Sequence, residues 1–176
     1  EGDVIRSTQA PIGEPETITE MLVRNAGRFG AHPVFAERRN GSFHAMGWDT
    51  FLGDVVALGQ FLTSTGAAAG DRVLVFSPNR GEMLVAEMAV MAIGAIYVPI
   101  FSGYPADQAR ALITHARPAA VILPGVEHLA RAYFPPTVRA LVTFVPVEAA
   151  AVAQALAGTA AQHTLYAEAM GQFKGT

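Results

Sequence analysis

The side chains that most often carry out chemistry are scattered in this chain. The five histidines form no pair at the three- or four-residue spacing that brings two side chains together on a helix. Each is expected to have a surface or capping role: His32, His44, His115, His128 and His163. The candidate hydroxyl nucleophiles Ser77, Ser102 and Thr114 lack the Gly-x-Ser-x-Gly elbow of hydrolases. The sequence therefore predicts no catalytic residue and no metal site.

Phosphate-binding motifs are also missing. Only one of the 12 basic residues is a lysine, Lys174, and it lies in the last six residues. A Walker-type loop, which ends in Gly-Lys-Ser/Thr, is therefore excluded, and no Gly-x-Gly-x-x-Gly follows a predicted strand. Asp71 and Glu82 have the positions of turn and helix-cap carboxylates. These patterns alone describe a domain of unknown function.

The composition sets the protein class. The 176 residues are 51% hydrophobic and 15% charged, as expected for one domain or part of a larger one. The net charge of -3 carries no basic stripe, so no nucleic-acid partner is expected. The absence of cysteine and of a signal peptide favours a cytoplasmic protein. Because the first residue is Glu1, we expect the chain to begin inside a longer reading frame or after processing.

The segment Gly70–Pro105 organises the predicted fold. Arg72–Phe76 is a short apolar run typical of a strand buried on both faces. Met83–Ile93 is apolar nearly all round, which predicts a covered helix that Gly94 can end. Ile96–Phe101 predicts a second strand. This order of elements is a βαβ unit.

Within this unit, the sequence also predicts the start of the helix and the place of a proline in the second strand. Asn79 is a suitable N-cap, with Glu82 completing a capping box. Pro99 suits a strand end or an unpaired position. A membrane span over Met83–Phe101 is the alternative, but Glu87 and the interrupting Gly and Pro disfavour it.

Residues on either side continue the pattern of strands and helices. The predicted elements are a capping box at Thr17–Glu20, a hairpin at Asn40-Gly41, a helix with Phe51, Val55, Leu58 and Leu62 on one face, a helix from Pro105, a strand at Ala119–Leu123, a short helix at Gly125–Tyr133, a last strand at Ala140–Val145 and a weak helix at about Glu148–Leu156. The prediction is an α/β fold with a mostly parallel sheet flanked by helices and an N-terminal β-hairpin. Residues 1–16 are predicted to be an extended arm, 17–146 the α/β subdomain and 147–176 an Ala-rich, weakly determined tail.

Several motifs in order resemble the first third of the adenylate-forming (AMP-binding) superfamily. Met91–Ile100 matches the second core motif of adenylation domains, and Gly47–Phe51 resembles the first. The resemblance extends from about Thr17 to Val145. Its other motifs are Gly70-Asp71-Arg72-Val73, Pro78-Asn79 with Glu82, Tyr104-Pro105 and Ala116-Arg117-Pro118-Ala119. The Asn79-Arg80-x-Glu82 form is most similar to acyl-CoA synthetases, including long-chain fatty acid:CoA ligases.

The departures from the family pattern are equally informative. Members bind ATP phosphates with a downstream loop ending in Pro-Lys-Gly and use a catalytic lysine in a later domain. Neither motif is present, and Lys174-Gly175-Thr176 is not that loop. The resemblance therefore implies an N-terminal fragment that is inactive alone and binds no cofactor by itself. Its parent would use ATP, Mg²⁺ and CoA.

The implied parent is an acid:CoA ligase that converts a carboxylic, typically fatty, acid to acyl-AMP and then to an acyl-CoA. The alternatives are a peptide synthetase adenylation domain, a fatty acyl-AMP ligase, or a free-standing non-catalytic α/β binding domain. A Pro-Lys-Gly loop encoded soon after Thr176 would support the ligase. The expected partners are the rest of the parent chain and its acid substrate, with self-association through an exposed apolar face and no transmembrane segment.

The resemblance also implies one binding surface. In relatives resembling acetyl-CoA synthetase, the turn after the Val-Pro strand touches the nucleotide end of CoA, and here that turn is Phe101, Ser102 and Gly103. A glycine lets a ligand approach the backbone, and the helix start at Pro105 favours an anion. The alternative is a plain strand-to-helix connection whose glycine serves only the turn.

Overall fold

A computed structural model describes residues 16–173, so nearly all of the expected arm (residues 1–16) and Lys174 lie outside the described residues. In the described part, seven helices and seven strands follow one another. They are α1 (Ile18–Phe29), β1 (Pro33–Arg39), β2 (Ser42–Gly47), α2 (Trp48–Ser64), β3 (Arg72–Ser77), α3 (Gly81–Ala92), β4 (Ile96–Phe101), α4 (Ala106–Ala116), β5 (Ala120–Leu123), α5 (Val126–Arg131), β6 (Ala140–Thr143), α6 (Ala149–Ala155), β7 (Gln162–Leu165) and α7 (Tyr166–Phe173).

Five strands form a parallel sheet with helices on both faces, as predicted. The strand order is β4-β3-β5-β6-β7. In β3, Val73 and Val75 belong to a core cluster with α2, α3 and α7, whereas Leu74 and Phe76 belong to a second cluster with α4, α5 and α6. Alternate side chains point to opposite faces of a strand, so a continuous apolar run serves both layers.

The N-terminal elements confirm three predicted local signals. Thr17 and Glu20 form a reciprocal capping box at the start of α1. Asn40 and Gly41 have positive φ values of 50° and 84°, as a two-residue hairpin turn of type I′ requires, and β1 pairs antiparallel with β2. The apolar face of α2 is buried, as the spacing of Phe51, Val55, Leu58 and Leu62 predicts.

The predicted capping box of α3 is wrong. The N-cap is Arg80 and it makes no side-chain cap bond, because Asn79 lies one residue further out. Glu82 instead accepts two hydrogen bonds from the Arg80 guanidinium, at 2.9 and 2.8 Å. An ion pair has therefore replaced the reciprocal cap.

The other end of α3 agrees with the prediction. Gly94 has a φ of +72°, and its amide donates a hydrogen bond to the Met91 carbonyl, while the Ala95 amide donates to the Val90 carbonyl. This is the Schellman arrangement, which needs a left-handed residue just past the helix end.

Strand β4 explains how proline is accommodated. Pro99 is in register with Val75, in the middle of the strand and not at its end. Because β4 is an edge strand, one of its sides has no neighbouring strand, and an edge is where a residue without an amide hydrogen is tolerated.

The assignment of 147–176 as a weakly determined tail needs correction, as does that of Ala140–Val145 as the last strand. β7 pairs with β6 as the fifth strand, and α7 packs against α2. In β7, Gln162 is exposed and the other three residues, including His163, are half-buried, so this edge strand lacks the apolar run that predicts the central strands.

Met83–Phe101 is divided between helix α3 and strand β4. Among residues 16–173, no helix has the length and apolar character needed to cross a membrane.

Candidate ligand-binding edge of the parallel sheet

The sheet topology identifies one edge as the place to look for a ligand. The chain runs from β3 outward to β4 and then returns across β3 to β5, so the direction of winding reverses beside β3. In open α/β sheets, ligands bind outside the carboxyl ends of the strands at such a reversal. Here that region contains the residues that follow β3, β4 and β5.

The last residue of β4 and the two residues after it form a tight turn, called here the β4 turn: Phe101, Ser102 and Gly103. The amide of Tyr104 donates to the Phe101 carbonyl at 3.1 Å and closes it. The Phe101 side chain is 70% exposed, and its ring meets the Tyr104 ring edge to face at a centroid distance of 5.6 Å. The turn therefore presents an aromatic surface to solvent.

The glycine of this turn has a structural reason. A Cβ atom at Gly103 would lie only 2.6 Å from Cε1 of Phe101. The phenyl ring occupies that space, so a side chain at this position would displace it. This observation agrees with the simpler interpretation of Gly103, and the nucleotide contact implied by the family remains a proposal.

Side chains of helix α5 contact the β4 turn and hold it in place. The Arg131 guanidinium donates to the carbonyl oxygens of Ser102 and Tyr104, at 2.9 and 3.0 Å. It also lies over the Phe76 ring, 5.1 Å from the centroid, and contacts the Glu127 carboxylate at 3.3 Å. One side chain thus fixes two backbone oxygens of the connection between β4 and α4.

His128 supplies a further contact from the same helix. Its Nε2 atom lies 2.8 Å from the Ser102 hydroxyl oxygen, and its ring packs edge to face on Phe76 at 4.8 Å. Burial, with a smaller contribution from the Arg131 charge, lowers the pKa of His128 below its ordinary value, although Glu127 acts in the opposite direction. The imidazole is therefore neutral at pH 7.

The expectation for the histidines is correct for three and wrong for two. His32, His44 and His115 are exposed, as predicted. His128 is only 7% exposed, and the partly buried His163 lies 2.9 Å from the hydroxyl of the fully buried Thr143. Their partners are 26 and 20 residues away in the sequence, so spacing within one helix could not reveal them.

Charged side chains form a second cluster beside β3 and the hairpin. Arg80 pairs with Glu82 and stacks over Phe144, 4.8 Å from the ring centroid. Arg39 bridges Glu37 and Glu82, at 2.6 and 3.6 Å. Burial raises the pKa of Glu82, but hydrogen bonds and the Arg80 and Arg39 charges outweigh it, so the pKa is lowered overall. This cluster fastens the hairpin to α3.

Asp71 is a turn carboxylate, as predicted. It accepts a hydrogen bond from the Ala68 amide at 3.1 Å and pairs with Arg139 at 2.6 Å. Residues 16–173 contain no group of three or more His, Asp or Glu side chains that could hold a metal ion.

Comparison with known proteins establishes the family. A profile described as AMP-binding enzyme matches residues 22–170, and this chain therefore belongs to the AMP-binding enzyme family. Protein Y of Streptomyces griseus is 35% identical over 80 residues, which cover 46% of this chain and 26% of that protein. Enterobactin synthase component F of Shigella flexneri is 29% identical over 118 residues, or 67% of this chain and 9% of that protein.

A long-chain-fatty-acid–CoA ligase of Mycobacterium bovis is 28% identical over 106 residues, covering 59% of this chain and 18% of the ligase. The adenylation domain of carboxylic acid reductase from Segniliparus rugosus has a similar fold, with a TM-score of 0.77 at 19% identity. The alignment covers 89% of this chain and 30% of that domain. The match confirms the predicted family and fold, and the chain spans about a quarter or less of these three curated relatives.

Proposed function

We propose that this chain is part of an acid:CoA ligase, which converts a carboxylic, typically fatty, acid to acyl-AMP with ATP and then transfers the acyl group to CoA. Within that enzyme, residues 17–146 supply scaffold, and the β4 turn forms one wall of the path taken by CoA. The observation that carries the second part is an exposed aromatic turn, held rigidly by α5, at the carboxyl edge of a parallel sheet.

The chemistry of the β4 turn suits the nucleotide end of CoA. An exposed phenyl ring such as Phe101 can stack on a purine base, an interaction worth about 1–3 kcal/mol per base. The amino end of α4 follows two residues after the turn, and its unpaired amides favour a phosphate. Asp107 in the first turn of α4 opposes that attraction, so this wall favours an anion only weakly.

The described residues do not fit the ATP and Mg²⁺ that such an enzyme requires. They lack a metal-binding cluster, and the two arginines nearest the edge are engaged, Arg80 with Glu82 and Arg131 with two carbonyl groups. A triphosphate needs cations and backbone donors held in place. We accordingly propose that the chain alone does not form an acyl-adenylate.

One comparison favours a second candidate, the adenylation domain of a peptide synthetase. The match to enterobactin synthase component F covers 67% of this chain, against 59% for the mycobacterial ligase. A fatty acyl-AMP ligase and a non-catalytic binding domain are further alternatives. The discriminating chemistry is the acceptor, because only a CoA ligase transfers the acyl group to free CoA.

The test is expression of the whole reading frame that contains this chain, followed by product analysis with ATP, Mg²⁺ and a series of fatty acids. The proposal predicts acyl-AMP without CoA and acyl-CoA when CoA is added. Acyl-AMP with no thioester would favour the peptide synthetase or acyl-AMP ligase, and no adenylate with any acid would favour the non-catalytic domain.

Variants test the role of the β4 turn in the same assay. Phe101→Ala should raise the KM for CoA several-fold while leaving acyl-AMP formation unchanged, because it removes the stacking surface only. The matched control is Phe43→Ala on β2, since Phe43 is similarly exposed, at 74%, but belongs to the hairpin. Equal KM values for CoA in the two variants would contradict a contact at Phe101.

A further inference from the structure

A serine and a histidine meet at the point where the sheet reverses its winding. Ser102 follows β4, and His128 lies on α5 after β5, with its ring packed on Phe76 near the end of β3. The Oγ to Nε2 distance of 2.8 Å is the hydrogen-bond reach expected of a nucleophile and its base. We propose that Ser102 and His128 form a nucleophile–base pair that accepts acyl groups from small activated esters, an activity separate from the proposed CoA ligation.

The pair has the protonation state that this role requires. His128 is neutral at pH 7 because burial lowers its pKa. In the tautomer that carries its proton on Nδ1, the Nε2 lone pair accepts the Ser102 hydroxyl proton. The ring is also held in place, since Phe76 contacts the imidazole at 4.8 Å and the Arg131 guanidinium at 5.1 Å.

Accessibility separates this pair from the other hydroxyl–imidazole contact in residues 16–173. Ser102 is partly exposed, and the rings of Phe101 and Tyr104 on either side of it in the sequence offer an aromatic wall to an acyl or aryl group. Thr143 lies 2.9 Å from His163 but is fully buried. Only Ser102 can meet a reagent, so Thr143 provides an internal comparison.

The step is an acyl transfer. Oγ of Ser102 attacks the ester carbonyl carbon, its proton passes to Nε2 of His128, and a new Oγ–C bond forms. The bond from that carbon to the leaving oxygen then breaks, and the alcohol or phenol takes the proton from His128. Water hydrolyses the acyl-serine in the reverse sense, with His128 again as base, and returns the free hydroxyl.

The expected rate is modest. No carboxylate is found to hydrogen-bond His128 among the described residues, and the nearest acid, Glu127, acts only through its charge. A positioned base contributes roughly a hundredfold to ten-thousandfold to such a reaction. We expect an effect near the lower limit of that range.

The experiment labels the 176-residue chain with a fluorophosphonate reagent, which reacts with activated serines, and locates the adduct by peptide mass spectrometry. Labelling is expected at Ser102, and neither at Thr143 nor at Ser64, whose hydroxyl donates to the Phe61 carbonyl. Ser102→Ala should abolish the adduct and the slow hydrolysis of p-nitrophenyl acetate, whereas Ser64→Ala should leave both unchanged. An adduct at Ser64 comparable to that at Ser102 would overturn the proposal.

Two further measurements test His128 itself. His128→Gln should slow labelling by roughly a hundredfold in a chain that remains folded. If that variant does not fold, the pH profile decides. The labelling rate of the unaltered chain should increase with pH through a single ionisation below pH 6.5, that of His128. The groups around this imidazole are Phe76 and Ser102, which contact it, and the charged side chains of Arg131 and Glu127. A rate independent of pH between 5 and 7, or equal rates in a folded His128→Gln chain, would overturn the proposal.

Discussion

Replacing Gly94 with valine tests whether the central βαβ unit depends on its helix end. Gly94 has a φ of +72° and closes the Schellman motif at the end of α3, two residues before the start of β4. Holding a residue with a Cβ atom in the left-handed region costs roughly 1–2 kcal/mol, and β-branched residues resist it most.

Steric contact adds to this cost. A Cβ at Gly94 would lie 3.1 Å from the Cβ of Ala69, which is tighter than ordinary van der Waals contact, and valine carries two further methyl groups. The sum is a loss of about 2–4 kcal/mol in the free energy of unfolding. For a chain of this size, that corresponds to a fall of roughly 5–15 °C in Tm.

The assay is thermal and chemical denaturation followed by circular dichroism. Gly94→Ala should lie between Gly94→Val and the unaltered chain. The matched control is Gly53→Ala inside α2, an exposed position with no heavy atom within 4 Å of the added Cβ, which should raise stability by roughly 0.5–1 kcal/mol. A Gly94→Val melting curve that coincides with the unaltered one would show that α3 does not need a left-handed residue at its end.

Two other substitutions and one surface groove are open to similar tests. Thr17→Ala removes the capping box of α1 and should lower the free energy of unfolding by about 1 kcal/mol in urea titrations, and an unchanged midpoint would argue against the cap. Because the pKa of Glu82 is lowered, its stabilising effect is complete above its unfolded pKa of about 4.3 and is lost as the pH falls through the folded value. Glu82→Gln should therefore flatten the acid side of the stability profile, and parallel profiles would count against this ion pair. A groove of about 660 Å³ lies between α2, α3 and α7, and its apolar lining includes Val55, Val56, Ile93 and Phe173. We therefore expect the chain to self-associate, seen as concentration-dependent light scattering, and to bind a hydrophobic dye. A monomer that binds no dye at any dilution would contradict this expectation.

Much of the fold could be predicted because its signals are local. The hairpin follows from Asn40-Gly41, and the buried strand β3 follows from a short apolar run. The end of α3 follows from Gly94. Each signal lies within a few residues, where local backbone preferences and the pattern of apolar residues determine the secondary structure.

The parts that could not be predicted depend on tertiary contacts. The amino end of α3 has a suitable Asn79 and Glu82, but Arg80 and Arg39 pair with that carboxylate more effectively than an amide does. Strand β7 has a polar sequence, and its place in the sheet depends on pairing with β6.

The candidate site was predicted only in part for the same reason. The family resemblance is enough to single out Phe101, Ser102 and Gly103, because these residues directly follow the Val-Pro motif in the sequence. His128 and Arg131 lie about 26 residues or more further along the chain and reach the turn only because β5 is placed beside β3. A resemblance that ends at a turn does not reveal which side chains hold it.

The most direct test of the central claim is an amide NMR titration of the chain with the adenosine bisphosphate half of CoA, with pantetheine as the comparison ligand. We expect saturable shifts at Phe101, Ser102 and Gly103 with the nucleotide half and none with pantetheine. Phe101→Ala should lose these shifts, Phe43→Ala should keep them, and Asp107→Asn should strengthen binding by removing a negative charge. Absence of shifts at the β4 turn at millimolar nucleotide, or equal shifts in the Phe101→Ala and Phe43→Ala chains, would contradict the claim that this turn forms a wall of the CoA path.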